Sequence, residues 1–400
     1  MAQRQFKSTD SDPWLYGFGD GSAGNGSINT STDAPIDSAC SGTSGTTSLT
    51  ATNASFATGQ LIMIHQTRGT GVGAWELNKI ASYSAGTITL THALTMTYTN
   101  SGASVAQVLV MTQYNDLTIN NAQTLTAKAW NGTVGGIIAY FVKGTLSGAT
   151  AGTINIAGLN GTTATKSPGQ SLAGAIGIGF SGGATSSVTS GNSQAYQGEG
   201  TAGVGTASTA ANGNGSGGSF INSSNNSTSG TGGSHATQGT QGSGGGTPGT
   251  AGSTVGTTSL VNMNFGGGGG GDENAGNATY IFGAAAGGGG ICLIIANNID
   301  LTNLTITGDG GIGGNGDYNL DGGSGAGGSI LLKTKIATLG TSKATASGGV
   351  AGGAGGAGGA GRIHLDYKTS YTGTTTPTID VTQDATLDYP ASANFFMFFN

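Results

Sequence analysis

Charge is what this sequence has least of. Only 8% of its 400 residues are Asp, Glu, Lys or Arg, and 6% are aromatic. Over residues 144–271 the charged side chains are Lys166 and Glu199 alone, and 200–271 has none. Twelve basic against 18 acidic residues give a net charge of −6, spread thinly along the chain. Nucleic-acid affinity rests on clustered Lys and Arg, so no nucleic-acid partner is expected. Apolar runs are short as well. None approaches the ~18 residues of a spanning helix, so no membrane insertion is expected. The first residues, MAQRQFKSTDSD, lack the apolar core of a secretory signal. A protein of this kind working outside a cell would leave by another route, such as lysis of an infected host.

Cysteine is scarce too. Cys40 and Cys292 are far apart, and two cysteines make no disulfide framework. Cys292 lies in the apolar run ICLIIANNI and reads as a buried free thiol; one long-range disulfide is the alternative. Proline numbers six, too few for a collagen-like chain.

Glycine fills the space these residues leave: 81 of 400, against an average usage near 7%. The densest stretch is GGVAGGAGGAGGAGR, residues 348–362, where Ala351, Ala354, Ala357 and Ala360 recur every third residue. Helices repeat at 3.6 residues and strands at two. A period of three belongs to the polyproline II conformation, in which 349–361 would be a thin rod of roughly 37 Å. Such a rod has no internal hydrogen bonds. Side-by-side rods can bond one another only where no Cβ intervenes, which predicts a polyglycine II scaffold with Gly352, Gly353, Gly355, Gly356, Gly358 and Gly359 as its scaffold glycines. The segments 266–271 and 287–290 are the predicted neighbours.

The remainder reads as all-β. TGQLIMIHQT (58–67), GTITLTHAL (86–94) and ASVAQVLVMTQ (103–113) are strand-like and rich in β-branched residues. They predict a small β-domain over 23–120, after an N-terminal attachment segment over 1–22. Short strands with Asn/Gly turns over 121–160 suggest β-solenoid coils or a meander. Residues 161–368 alternate glycine blocks with apolar strands and form the predicted strand and polyglycine II scaffold. Within it, 200–271 reads either as a Gly/Ser linker or as packed scaffold. ICLIIANNIDL (291–301) and SILLKTKIATL (329–339) each follow a glycine block and predict buried, adjacent, equivalent strands. Residues 369–400 are a C-terminal segment ending in an apolar tail.

Enzymatic chemistry finds little support. GIGGNG (311–316) matches a dinucleotide-binding spacing but lies in glycine without a βαβ context. His65, His92, His235 and His364 are scattered, without metal-ligand spacing. Asp309, Asp317 and Asp321 partly match the Gly-Asp turns of calcium-binding repeats. The register is wrong, so a solvent-exposed turn is the preferred reading and Ca²⁺ the alternative. Asp300, Asp309 and Asp366 are carboxylates of the kind polysaccharide-cleaving solenoids use, yet no two stand out. The expectation is a non-enzyme with no cofactor. Aromatics are the better binding candidates. Tyr196, Tyr280, Tyr318 and Tyr371 fall at block junctions, whereas Trp75 and Trp130 sit among strand residues and suit a core. Trp14, Tyr16 and Phe18 near one end, and Phe395, Phe396, Phe398 and Phe399 at the other, predict interface contacts.

Glycine blocks between short apolar strands over about 260–365 resemble the tip adhesins of T-even-type phage tail fibres. The resemblance implies packed polyglycine II rods whose connecting loops bind the host receptor. GQLIMIHQTRGTG with WELNKI (59–80), TLTAKAWNGTVGGIIAYFVKGT (124–145) and AYQGEG (195–200) also resemble a wider group of glycine-rich microbial surface and phage-tail proteins. These likenesses imply a virion tail or extracellular-surface protein, a homo-oligomer or assembly component. Its implied partners are other virion or filament subunits and a host-surface glycan or protein. The other reading is a subunit of an extracellular filament or sheath.

Overall fold

The structure is a computed structural model that describes residues 17–188, 192–221, 227–275 and 279–387. Every regular element among these residues is a β-strand.

The strands Asp37–Ser41, Ser48–Ala51, Thr87–Leu90, Trp75–Ser84, Leu61–Arg68 and Val105–Val110 pair in that order and close into an antiparallel barrel. Side chains alternate across each strand. Ile62 and Ile64 point inward with Leu49, Ile80, Ile88 and Val108, while Leu61 and Met63 face the rest of the chain. The barrel is thus narrower than the 23–120 module read from sequence. Gly26–Ile28 and Leu117–Ile119 instead join a parallel sheet, because Ile28, Leu117 and Ile119 complete that sheet's core.

That sheet is built by repeated strand–turn–strand passes. Ile137–Gly148, Ile291–Asp300, Ser329–Thr345 and Arg362–Thr376 start in register: Ile137 stands beside Ile291, Ile291 beside Ser329, and Ser329 beside Arg362. The two apolar runs at 291 and 329 are therefore parallel neighbours. After a turn the chain returns through Gly152–Asn155, Leu304–Thr307 and the end of the Ser329 strand, which pair parallel in a second layer. Cys292, Ile294, Ile330, Leu332, Ile363 and Leu365 fill the space between the layers against Ile154, Ile306 and Ala344. Ile291, Leu293, Ile295 and Leu331 face the other way, toward Phe265, Met263 and the barrel's Met63. Burial on both faces explains why these strands read as continuous apolar runs rather than alternating ones. Cys40 and Cys292 are both buried free thiols.

Glycine segments lead directly into the strands that start at Ile291, Ser329 and Arg362. The central one, 265–271, shows how they pack. Gly266 and Gly269 donate to Gly289 and Ala286, Gly267 and Gly270 to Ser234 and Thr231, and Gly268 and Gly271 to Glu199 and Tyr196. A Cβ on these six glycines would meet a different set: Ala326 and Gly323, Asn214 and Gly217, Ser181 and Ala184, in the same order of three. Each meeting is with a carbonyl oxygen at 1.9–2.1 Å, a distance no real Cβ tolerates. The surroundings thus repeat every third residue. The uncharged 200–271 stretch supplies several of the neighbouring segments, so it is packed scaffold where described.

The 349–361 stretch corrects its sequence expectation in two ways. It is not one rod, because the chain turns at 353–355. Gly353 has φ +52°, and Asp321 Oδ2 accepts from Ala354 N at 2.7 Å. The two arms then bond each other, with Gly358 N donating to Gly349 O at 2.8 Å. Its direct partners also differ: Gly349 donates to Gly325, Gly356 to Gly230 and Gly359 to Gly233. The expected partners 266–271 and 287–290 lie beyond 322–328, bonded to Gly323 and Ala326. A Cβ on Gly352, Gly355, Gly356, Gly358 or Gly359 would strike a backbone carbonyl at 1.8–2.4 Å, whereas one on Gly353 would strike Asn315 and Asp321 side chains in the turn.

Candidate functional site

The 265–271 segment has two unlike ends. At the first, the barrel is fastened. His65 Nε2 lies 2.9 Å from Met263 O, and Trp75 Nε1 donates to Leu260 O at 3.2 Å. Arg68 and Trp130 both donate to Glu199 Oε1. Trp130, Phe180 and Phe265 meet edge to face at 5.3–6.5 Å. The two tryptophans are thus core residues, 7% and 1% exposed.

At the second end the segment runs into Glu273–Ala275, which pairs with Ser186–Val188 and Ser227–Thr228. Here Tyr280–Gly283 pairs antiparallel with Thr163–Lys166, placing Lys166 beside Tyr280. The Tyr318 ring meets Tyr280 edge to face, centroids 5.6 Å apart. Tyr318 is 75% exposed. Its backbone and that of Asn319 are left-handed, φ +51° and +63°. Asparagine adopts that region readily, but for tyrosine it costs on the order of 1 kcal/mol or more. Surrounding bonds hold it there. Asp317 N donates to Ile281 O at 2.8 Å, Ser229 Oγ donates to Asn319 O at 2.8 Å, and Ser227 Oγ donates to Tyr318 O. Leu320 and Asp321, both buried, anchor the turn below. The result is two tyrosine rings and the partly exposed Ile281 beside Lys166 and Asp317. An exposed ring flanked by mixed donors and acceptors can stack on a sugar or seat in a protein pocket.

Tyr280 and Tyr318 come together; the other two tyrosines do not join them. Tyr196 is 43% exposed on a glycine segment, its carbonyl accepting from Gly271. Tyr371 is half-buried against Tyr367, with ring centroids 4.9 Å apart, on the two-layer sheet. Phe18, expected at an interface, is buried within its own chain, in a cluster with Leu61, Met111 and Phe141. An aromatic this close to apolar neighbours finds cover without a partner. Trp14 and Tyr16, and Phe395, Phe396, Phe398 and Phe399, lie outside the described residues.

The acidic candidates are drawn apart, and each is bonded within the chain. Asp300 Oδ1 accepts from Thr302 N, Asp309 Oδ1 from Ser347 N, Asp317 Oδ2 from Ile281 N, and Asp321 from Gly316 and Ala354. Asp366 pairs with Lys333. Among the described residues no group of three or more His, Cys, Asp or Glu is arranged to hold a metal ion, and no helix is long and apolar enough to cross a membrane. Beneath the tyrosine end, Asp272 and Glu273 are buried. Burial drives both carboxyls upward, Glu273 to about 7; Glu273 and Asp321 push Asp272 further.

No protein-family model matches the sequence, and comparison with curated proteins finds no match. Among solved structures, the tailspike of Acinetobacter baumannii bacteriophage AP22, in complex with A. baumannii capsular saccharide, aligns at 10% identity and a TM-score of 0.19. The alignment covers 90% of this chain and 62% of the tailspike, so this chain spans less than two thirds of that protein's length. A similarity at this TM-score does not establish a shared fold.

Proposed function

We propose that the chain is a non-enzymatic receptor-binding protein of a virion tail, a tail-fibre or tip adhesin, which meets a host-surface glycan or protein through the Tyr280–Tyr318 end. In this reading the glycine segments are polyglycine II rods, a rigid spacer between a fastening barrel and a recognition end. The observation that carries it is Tyr318, held exposed on left-handed backbone at the end of the scaffold remote from the barrel. A residue kept in a strained and solvent-facing pose is explained by contact with something outside the chain. Other virion subunits are the expected partners at the barrel end.

The test is adsorption. Purified protein is measured for binding to cells of the source phage's host, with Tyr318→Ala and Tyr280→Ala beside the unaltered chain. Loss of binding at unchanged melting temperature supports the reading; full binding by both variants refutes it.

A second reading, a subunit of an extracellular filament or sheath, is favoured by one feature. Leu159, Ile312 and Val350 stand exposed on neighbouring glycine segments, linked by the bonds from Gly161 to Ile312 and Gly310 to Ser347. Unaided assembly of purified protein into fibres, lost in Ile312→Ser, would select this reading.

A further inference from the structure

At the barrel end of the scaffold, away from Tyr280 and Tyr318, a recess of about 220 Å³ is bounded by Ser259, Lys333, His364, Asp366, Thr382 and Asp384. Its floor is set by strand register. Lys333 stands beside Asp366 and Asp366 beside Thr382 on three adjacent parallel strands, the last being Asp380–Gln383. With a period of two, these side chains share one face.

The charged groups of the floor are already tied together. Lys333 donates to Asp366 Oδ2. His364 Nε2 lies 3.0 Å from Asp366 Oδ1, and its Nδ1 lies 2.8 Å from Asp380 Oδ2. Burial alone would raise the Asp366 carboxyl, but the bonds from His364 and Lys333 hold it below the ordinary value. Asp384 Oδ1 accepts from Thr386 N and Oγ1, which fixes that carboxylate at the rim. Ser259 and Thr382 add hydroxyls that can donate or accept, and Val261 adds an apolar patch.

A purely structural ion cluster is closed by packing, since buried charges need their full set of partners. This one borders open volume smaller than a drug-sized pocket. Rigid carboxylates, two hydroxyls and one apolar patch are the wall chemistry that holds vicinal hydroxyls and a C–H face. Among the lining groups the carboxylates of Asp366 and Asp384 face one ammonium, that of Lys333, which Asp366 already holds, so a further anion is disfavoured. We propose that this recess is a saccharide subsite for one hexose-sized unit, neutral or amino-bearing, and not for a uronic acid. It is separate from the tyrosine end and stands whether or not that end binds a receptor.

Saturation-transfer NMR on the full chain, with glucose, galactose, glucosamine and glucuronate as probes, tests it. Transfer to at least one of the first three and none to glucuronate is expected. In a Tyr318→Ala background, which removes the contribution of the tyrosine end, transfer should persist, Thr382→Trp should fill the mouth and abolish it, and Asp384→Asn should weaken binding by about tenfold. No transfer to any of the four sugars in that background, equal transfer to glucuronate, or transfer that survives Thr382→Trp there overturns the proposal.

Discussion

Arg68 of the barrel donates to Glu199, 131 residues away, and both side chains are buried. Glu199 is the one acid between residues 144 and 271. It also accepts from Trp130 Nε1 at 3.0 Å and from Ser181 N at 3.2 Å. The pair fastens barrel, aromatic cluster and glycine scaffold at one point.

Removing one partner leaves a buried, uncompensated charge. Glu199→Gln should therefore lower unfolding stability by about 3–5 kcal/mol. Replacing both partners by apolar residues, Arg68→Met with Glu199→Leu, should recover much of that loss. Denaturant unfolding of the three proteins checks this, and a double variant weaker than the single one would contradict it.

Glycine positions should differ sharply from the alanines between them. A Cβ on Gly356 would lie 1.9 Å from Thr240 O, and one on Gly355 lies 2.4 Å from Gly322 O. Ala357 already carries a Cβ in a half-buried position. Gly356→Val is expected to cost at least ~3 kcal/mol and Ala357→Ser within ~0.5 kcal/mol. Equal melting temperatures would show that the glycine faces are not in contact.

Stability should rise as pH falls from 8 to about 6.5. The folded chain raises Asp272, and raises Glu273 to about 7 and Asp33 to about 6, mainly through burial. The folded state then binds protons that the unfolded state does not, so acidification toward the ordinary carboxylate range favours folding. His65 and His235 act oppositely: burial lowers both to about 4, so stability is lost as pH falls from 6.5 to 4. The two effects oppose each other in that window. Below it, protonation of Asp366, whose folded value is lowered, removes further stability. A melting-temperature profile checks the sign. Asp272→Asn combined with Glu273→Gln should flatten the segment above pH 6.5, and a wild-type curve that climbs with pH there would contradict the assignment.

Much of the strand architecture was legible in the sequence, because large apolar side chains carry a pattern. The runs at 291 and 329 predict buried, adjacent strands, as found. Glycine carries no such pattern, which is why the scaffold was harder to read. The period of three around Ala354 and Ala357 predicted a packed segment but not its reversal, which Gly353 and the distant Asp321 impose. Its neighbours could not be chosen either, since backbone carbonyls rather than side chains select them. Residues 200–271 read equally well as a linker for the same reason. Tyr280 and Tyr318 each stand at a block junction in the sequence, yet only the fold brings their rings together. Lys333 and His364 carry a weaker signal, a charged or polar residue at alternate positions in ILLKTK and RIHLDYK, and only strand register brings them to one recess.

The measurement that bears most directly on the scaffold is amide hydrogen exchange across Gly266–Gly271. All six amides donate to carbonyls of neighbouring glycine segments, in a stretch that composition alone would leave as a flexible linker. Exchange there should be as slow as in the Ile291–Ala296 strand. Exchange at the rate of an open chain would contradict a hydrogen-bonded glycine scaffold and, with it, the rigid spacer on which the proposed function depends.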